Sequence, residues 1–265
     1  MPAQVITLTS GKGGVGKTTA VANLAVALAS NGSKVVCIDG DIGLRNLDVI
    51  LGLENRIVYD IVDVIEGRCR LKQAMIKDKK LPNLHLIPAA QTRDKNAVSA
   101  SDMNRLVKDL RSECDFVLID SPAGIERGFK NAIAPADRVL VVTNPEVSAV
   151  RDADRVIGIL EAEDKGPGAL IINRLNPVLV KKQDMLSADD VLDLLAVDLI
   201  GIVPEDEGVI VGSNRGVPVA ADPKSKAGQA FRNIARRLNG EVVPFLDLDH
   251  TGSLWERIQK LAGRK

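Results

Sequence analysis

Residues Gly11 to Thr19 read GKGGVGKTT and follow the apolar run Val5-Ile6-Thr7-Leu8. The pattern is G-x-x-x-x-G-K-[ST], the spacing of a phosphate-binding loop. Its chemistry accounts for its residue types. Glycines let successive backbone N–H groups turn inward around phosphate oxygens, where a side chain would block the approach. A helix starting near Lys17 would aim the positive end of its dipole at the same anion. Gly11, Lys12, Gly13, Gly14, Val15, Gly16, Lys17, Thr18 and Thr19 are therefore the candidate phosphate cradle. Lys17 is placed to reach the β- and γ-phosphates and the Thr18 hydroxyl to ligate Mg²⁺. A merely structural glycine-rich turn is the alternative.

Three acids stand at the ends of apolar runs. Asp39 and Asp41 lie in IDGDIGLRNLD, two apart, so in an extended chain they point to one side. Phosphoryl transfer needs a group that orients water in line with the γ-phosphate, and a carboxylate beside the loop could do it. Asp39 equally suits a turn or capping acid. Asp120 closes VLID before Ser121-Pro122-Ala123-Gly124. A carboxylate there fits the holding of Mg²⁺, directly or through water. After a later apolar run comes Asn173-Arg174-Leu175-Asn176. A guanine reader would carry Asn-Lys-x-Asp; the Lys and Asp are missing, which favours adenine and so ATP.

These residues need strands that end where they begin. Strand-like and helix-like patterns alternate along the chain, which implies a doubly wound, mostly parallel α/β sheet flanked by helices. Strands are expected over 5–8, 34–39, 84–89, 116–120, 138–143, 169–173 and 199–203. Helices are expected over 17–31, 57–66, 71–76, 101–113 with Ser101 as N-cap, 148–163, 188–196 and 225–239. In such a sheet ligands collect at the carboxyl ends of the strands. Every residue singled out above stands at or after such an end.

Composition agrees. The chain has 265 residues, 45% hydrophobic but only 2% aromatic, so its core must be aliphatic, as buried parallel strands require. Lys+Arg and Asp+Glu balance at 35 each, so overall charge gives no case for nucleic acid. Cys37, Cys69 and Cys114 form no CxxC, which offers neither a disulfide framework nor a metal-cluster motif. The first strand begins almost at the initiator Met, with no targeting segment expected ahead of it.

The pattern changes after Gly240. The domain reading is thus 1–240 globular, 241–252 linker and 253–265 a C-terminal amphipathic helix. In SLWERIQKLAGRK, Leu254, Trp255, Ile258, Leu261 and Ala262 fall within about 120° of arc. Side chains there carry four positive charges and one negative. A basic amphipathic helix with the only Trp on its apolar face suits a membrane surface, with Leu254, Trp255, Ile258 and Leu261 inserted. Docking on its own domain or in a protein groove are the alternatives.

The loop has one more lysine than the motif demands. With Lys12, GKGGVGKTT resembles the deviant Walker A P-loop ATPases of the ParA–MinD superfamily. In that family the early lysine reaches across a dimer interface to the partner's nucleotide, which implies a catalytic Lys12 and an ATP-dependent homodimer. DIGLRNLD, Ala90-Gln91-Thr92-Arg93-Asp94, DSPAGIE, TNPEVSAVRDADR, Val203-Pro204-Glu205-Asp206 and the tail resemble the MinD family of division-site ATPases. That resemblance covers nearly the whole chain. It implies that Asp41 handles the attacking water and contacts the Mg²⁺ shell, with Asp39 as its support. It puts Asn173, Arg174, Pro204, Glu205 and Asp206 by the adenine. It puts Ser148, Arg151, Asp152 and Asp154 on a helix used for partners, although an ordinary solvated face would look the same. It implies recruitment of a MinC-like division inhibitor, a response to a MinE-like activator, and peripheral attachment to the cytoplasmic face of the inner membrane with release to the cytosol in the ADP or apo state. The alternative is a ParA-like DNA-segregation ATPase, disfavoured by the neutral charge and the Trp-bearing tail. An iron–sulfur carrier of the same superfamily lacks suitably placed cysteines here. A nucleotide-binding scaffold without turnover is disfavoured by Asp41.

Overall fold

A computed structural model of the protein describes residues 2–94 and 97–248. The membrane-helix stretch 253–265, with Leu254, Trp255, Ile258 and Leu261, lies outside the described residues. Eight strands among them form one sheet: β1 (Gln4–Thr9), β2 (Val35–Asp39), β3 (Ile76–Lys77), β4 (Leu84–Ile87), β5 (Phe116–Asp120), β6 (Arg138–Thr143), β7 (Ala169–Leu175) and β8 (Asp198–Pro204). Their order is β3-β4-β2-β5-β1-β6-β7-β8. Every pairing is parallel except that of β3 with β4. The helices are α1 (Lys17–Ser30), α2 (Leu47–Ile50), α3 (Ile61–Ile65), α4 (Leu71–Ala74), α5 (Ala100–Leu110), α6 (Arg127–Ile133), α7 (Val147–Ala162), α8 (Pro177–Lys181), α9 (Ala188–Leu195), α10 (Glu207–Asn214) and α11 (Lys226–Leu238). This is the doubly wound fold expected from the alternating pattern.

Alternation along the strands sorts the core. Ile6, Leu8, Val35, Cys37, Leu118 and Leu140 face α1 and α11, while Val5, Val36, Ile38, Val117 and Ile119 face the opposite way, towards α5. Farther along the sheet, Val139, Val141, Leu170 and Ile172 pack with α7 and α9. Because both faces are covered, the strands read as continuous apolar runs. Helix α1 is apolar around most of its girth and buried from Ala20 to Ala29, so it lies inside, between sheet and α11. Its small side chains permit close approach. Helix α11 presents Ala227, Ala230, Phe231, Ile234 and Leu238 inward, and it sits so near β8 that a β-carbon at Gly201 would overlap Ile234. Burial drives the Cys37 thiol far above its ordinary range, in keeping with its core position.

The differences from the sequence-based expectation are local. Helix α5 starts earlier than Ser101. Ser99 Oγ accepts from the Asp102 N–H (3.2 Å) and Asp102 returns a bond to the Ser99 N–H (3.1 Å), a reciprocal cap that Ser101 cannot make from inside the first turn. The helix expected over 71–76 stops at Ala74, and Ile76 turns into the edge strand β3. Helices α6, α8 and α10 carry too weak a period to be anticipated. The segment 241–248, expected as linker, has no regular structure and lies against the domain, with Leu246 and Leu248 packed on its core.

Candidate functional site

β1 lies between β5 and β6, and the cradle hangs from its carboxyl end. Gly14 and Gly16 have φ of 82° and 91°, a region that L side chains rarely adopt. The other glycines divide by what surrounds them. A β-carbon at Gly11 would overlap the Asp152 carbonyl of α7, and one at Gly16 would overlap the Asn173 amide; one at Gly13 or Gly14 would meet nothing. The loop is thus pressed against α7 and β7 on one side and open on the other, where an anion can enter. Gly16, the residue before α1, offers no side-chain cap, and the first turn holds no acid. No capping side chain or first-turn acid competes there with an anion for the amide groups of a helix start.

Lys17 is buried, and its ammonium pairs with Asp120 Oδ1 and donates to Thr18 Oγ1 (3.4 Å). Asp120 Oδ2 is buried without a hydrogen-bond partner. An orphaned carboxylate oxygen costs free energy unless something polar or cationic meets it. Beside the Thr18 hydroxyl, it fits the inner or water shell of Mg²⁺.

Asp39 and Asp120 are directly paired across β2 and β5. Asp39 is fully buried and accepts from the backbone N–H groups of Asp41 (3.0 Å), Leu47 (3.2 Å) and Asn46 (3.3 Å). Burial, and then the Asp120 charge, push its carboxyl up to about 7. Asp39 therefore ties down the turn that presents Asp41 and caps the start of α2. Asp41 is half-buried and lines a cavity of about 310 Å³ with Gly40, Ile42, Leu44, Pro122, Ala123 and Glu126. That cavity separates the 40–46 segment from the 122–128 turn. A larger cavity of about 530 Å³ opens beside Lys34 and Val35 at the opposite end of the strands, away from these groups.

Lys12 is exposed, with its Nζ donating to Ser148 Oγ (3.2 Å) and 3.9 Å from Glu146. Ser148, Arg151 and Asp154 are exposed on α7, and Asp152 is half-buried because its backbone packs on Gly11. Two of the candidate partner residues, Ser148 and Asp152, therefore touch the cradle itself. Of the adenine candidates, Asn173 is buried and donates from Nδ2 to the Val15 carbonyl (2.7 Å), bracing the cradle. Arg174 is exposed, at φ 56°. Pro204 closes β8, and Glu205 accepts from Asn176 Nδ2 (2.8 Å). Asp206 accepts from the Gly208 N–H (2.8 Å), the Ser225 hydroxyl (2.8 Å) and the Ala227 N–H (3.3 Å), joining the starts of α10 and α11. Burial pushes its carboxyl up, but those hydrogen bonds outweigh it and hold it below the usual range.

Residues that motif reading passed over complete the site. Asn144, in the amide orientation that satisfies both its polar atoms, donates to the same Val15 carbonyl (3.1 Å). The Gly124 N–H donates to the Ser10 carbonyl (2.9 Å), linking the 121–124 turn to the cradle. The Gly43 N–H donates to the Ala90 carbonyl (2.9 Å), which explains the place of the 90–94 stretch beside Asp41. Arg45, at φ 41°, pairs with the buried Asp48 (3.0 Å) and holds the same segment from its far side. The polar residues after each strand end are the signal that could have found Asn144.

Comparison with known proteins accords with this geometry. Residues 3–165 match the family model described as an AAA domain. The chain is 58% identical over 245 residues to a septum site-determining protein MinD of Synechocystis, covering 92% of both, and 54% identical to the MinD of Bacillus subtilis, covering 93% of this chain and 92% of that one. Among solved structures it superposes on the MinC:MinD cell division protein complex of Aquifex aeolicus with a TM-score of 0.87, at 50% identity over 92% of this chain and 99% of that one. The MinD of Pyrococcus horikoshii complexed with Mg-ADP is 30% identical, with a TM-score of 0.80, over 89% of this chain and 96% of that one. With identity of this order over more than nine-tenths of its length, the chain belongs to the MinD family of division-site P-loop ATPases.

Proposed function

We propose that this ATPase is a nucleotide-switched, membrane-attached dimer that regulates placement of the division septum. The observation that carries the reading is the buried pair of Lys17 and Asp120, with its orphaned Oδ2, at the glycine cradle. ATP and Mg²⁺ are its ligands, as nucleotide and metal are in the Pyrococcus relative. Residues 11–19 receive the phosphates, Lys17 turns from Asp120 to the γ-phosphate, and Thr18 and Asp120 hold Mg²⁺. The cation supplies charge neutralisation at the phosphate oxygens. Asp41 orients the attacking water, with Asp39 fixing its backbone. Asn173, Arg174 and Pro204 to Asp206 flank the adenine. Lys12 leaves Ser148 and Glu146 to reach a second subunit's nucleotide. The outer face of α7, with Ser148, Arg151, Asp152 and Asp154, takes a MinC-like inhibitor and a MinE-like activator. The Aquifex relative was solved with MinC, which supports the first of these.

Membrane attachment rests on residues 253–265. Four large apolar side chains give at most roughly 6–12 kcal/mol on burial. Ordering a dozen residues costs on the order of 1–2 kcal/mol each, and so short a helix is marginal in water. One tail therefore binds weakly. Two tails on an ATP dimer make the second insertion intramolecular, with a large avidity gain, so ATP switches attachment on and hydrolysis switches it off. The test is co-sedimentation with anionic vesicles. The full chain should pellet with ATP and stay in solution with ADP, and a chain ending at Gly252 should stay in solution with both. Retained binding by the shortened chain would remove the tail from the mechanism.

A further inference from the structure

Outside the nucleotide site, Arg237, near the end of α11, joins the sheet to the chain that leaves the domain. Its Nη1 donates to the Ile200 carbonyl (2.9 Å), its Nε to Val243 (3.0 Å) and its Nη2 to Pro244 (2.9 Å). The guanidinium carbon also lies 4.3 Å from the centroid of the Phe245 ring. β8 is an edge strand, and its pairing with β7 slips between Leu199 and Gly201, leaving Ile200 as the extra residue of a bulge. A bulge leaves such a residue outside the ladder. Arg237 thus anchors in the sheet through the bulge carbonyl and grips the departing chain with its remaining donors and its flat face. Beyond the grip, Leu246 packs on the core that holds α11, and Leu248 on the one that holds α9. The chain crosses the sheet edge as a strap.

We propose that Arg237 is the positioning residue for the C-terminal membrane segment: it clamps residues 243–248 across the β8 edge and so sets the exit point and length of the membrane tether. This rests on the membrane reading above. With the strap closed, residues 249–252 alone separate the domain from residues 253–265. Released, the strap would add six residues and up to about 20 Å of reach. Effective concentration falls roughly as the −3/2 power of tether length, so lengthening from about four to about ten residues lowers the avidity gain about fourfold. A short, directed tether also presents both tails of a dimer from fixed positions.

The experiment uses the full chain, Arg237→Gln, and a form with six Gly/Ser residues inserted between Leu248 and Asp249. Chymotryptic cleavage after Phe245, followed by mass, reads the clamp; sedimentation with anionic vesicles under ATP reads the tether; nucleotide affinity reports the intact fold. Arg237→Gln should be cut after Phe245 at least tenfold faster and bind vesicles about fourfold more weakly, with ATP affinity unchanged. The insertion should show the same loss of vesicle binding with cleavage at the wild-type rate. Wild-type cleavage of Arg237→Gln overturns the clamp. Wild-type vesicle affinity in both variants overturns the tether role. If the unaltered chain itself fails to bind vesicles with ATP, the membrane reading falls and the tether role with it, while the cleavage rates still decide whether Arg237 holds the strap.

Discussion

Asp39 and Asp41 stand two residues apart, yet the fold gives them opposite environments. Asp39 lies under the sheet end beside Asp120, and its oxygens are taken by three backbone N–H groups. A carboxyl pushed to about 7 by burial and a like charge is a poor permanent anion but a firm acceptor for the turn it organises. Asp41 is half-buried and lines the cavity between the 40–46 and 122–128 segments. The division of labour predicts that Asp41→Ala keeps ATP affinity within about twofold and lowers hydrolysis by about 10²–10⁴-fold, the range for loss of a group that acts on the attacking water. Nucleotide binding and phosphate release measured on one preparation check it; unchanged turnover would take Asp41 out of the reaction.

At the scale of elements, the cradle depends on where β1 begins as well as where it ends. Asp137, just ahead of β6, accepts from the Val5 N–H of β1 (2.9 Å) and from both terminal nitrogens of Arg111 at the end of α5 (2.7 and 2.9 Å). Arg111 also donates to the Ala3 carbonyl (3.1 Å). Burial works against the Asp137 charge, but the Arg111 hydrogen bonds and the Val5 N–H win and hold the carboxyl below its ordinary 3.8. Folding therefore favours the ionised form. The resulting stability is fully present above about pH 4 and is lost as pH falls through the depressed folded value. Since Asp137 is 42% exposed, solvent screening limits the pair to about 1 kcal/mol or less. Asp137→Asn should lower the urea midpoint at pH 7 and flatten the acid limb, so that the difference from wild type shrinks below pH 4. A constant offset across pH would assign the effect to packing instead of charge.

At the scale of the molecule, the site lies at one end of the sheet with its open side outward, and Lys12 is exposed on the rim against α7. A second subunit can reach that rim directly. Lys12→Ala should therefore abolish ATP-dependent dimerisation while leaving monomer stability nearly unchanged, because an exposed lysine contact contributes little to folding. Light scattering with ATP and with ADP reads the first, and thermal unfolding the second; a dimer of normal affinity would contradict the cross-interface role. Identity above 50% to MinD relatives over more than nine-tenths of the chain places it on the division side of the superfamily, which sets aside the ParA-like alternative.

The sequence alone determined the cradle, the acids after β2 and β5, and the parallel α/β order. Each is written locally: the glycine-lysine spacing is set by phosphate geometry, and buried strands flanked by helices leave continuous apolar runs. What it left undecided depends on residues far apart in the chain. Asn173 and Asn144 meet at the Val15 carbonyl only because β6 and β7 end beside the loop. The early start of α5, the short helices α6, α8 and α10, and β3 arise from capping and edge contacts with too little periodicity to be read. The segment 241–248 has no helical or strand pattern and reads as linker. Only the tertiary structure makes it a strap, because the bulge at Ile200 exposes a carbonyl that Arg237 can hold while gripping the chain beyond it.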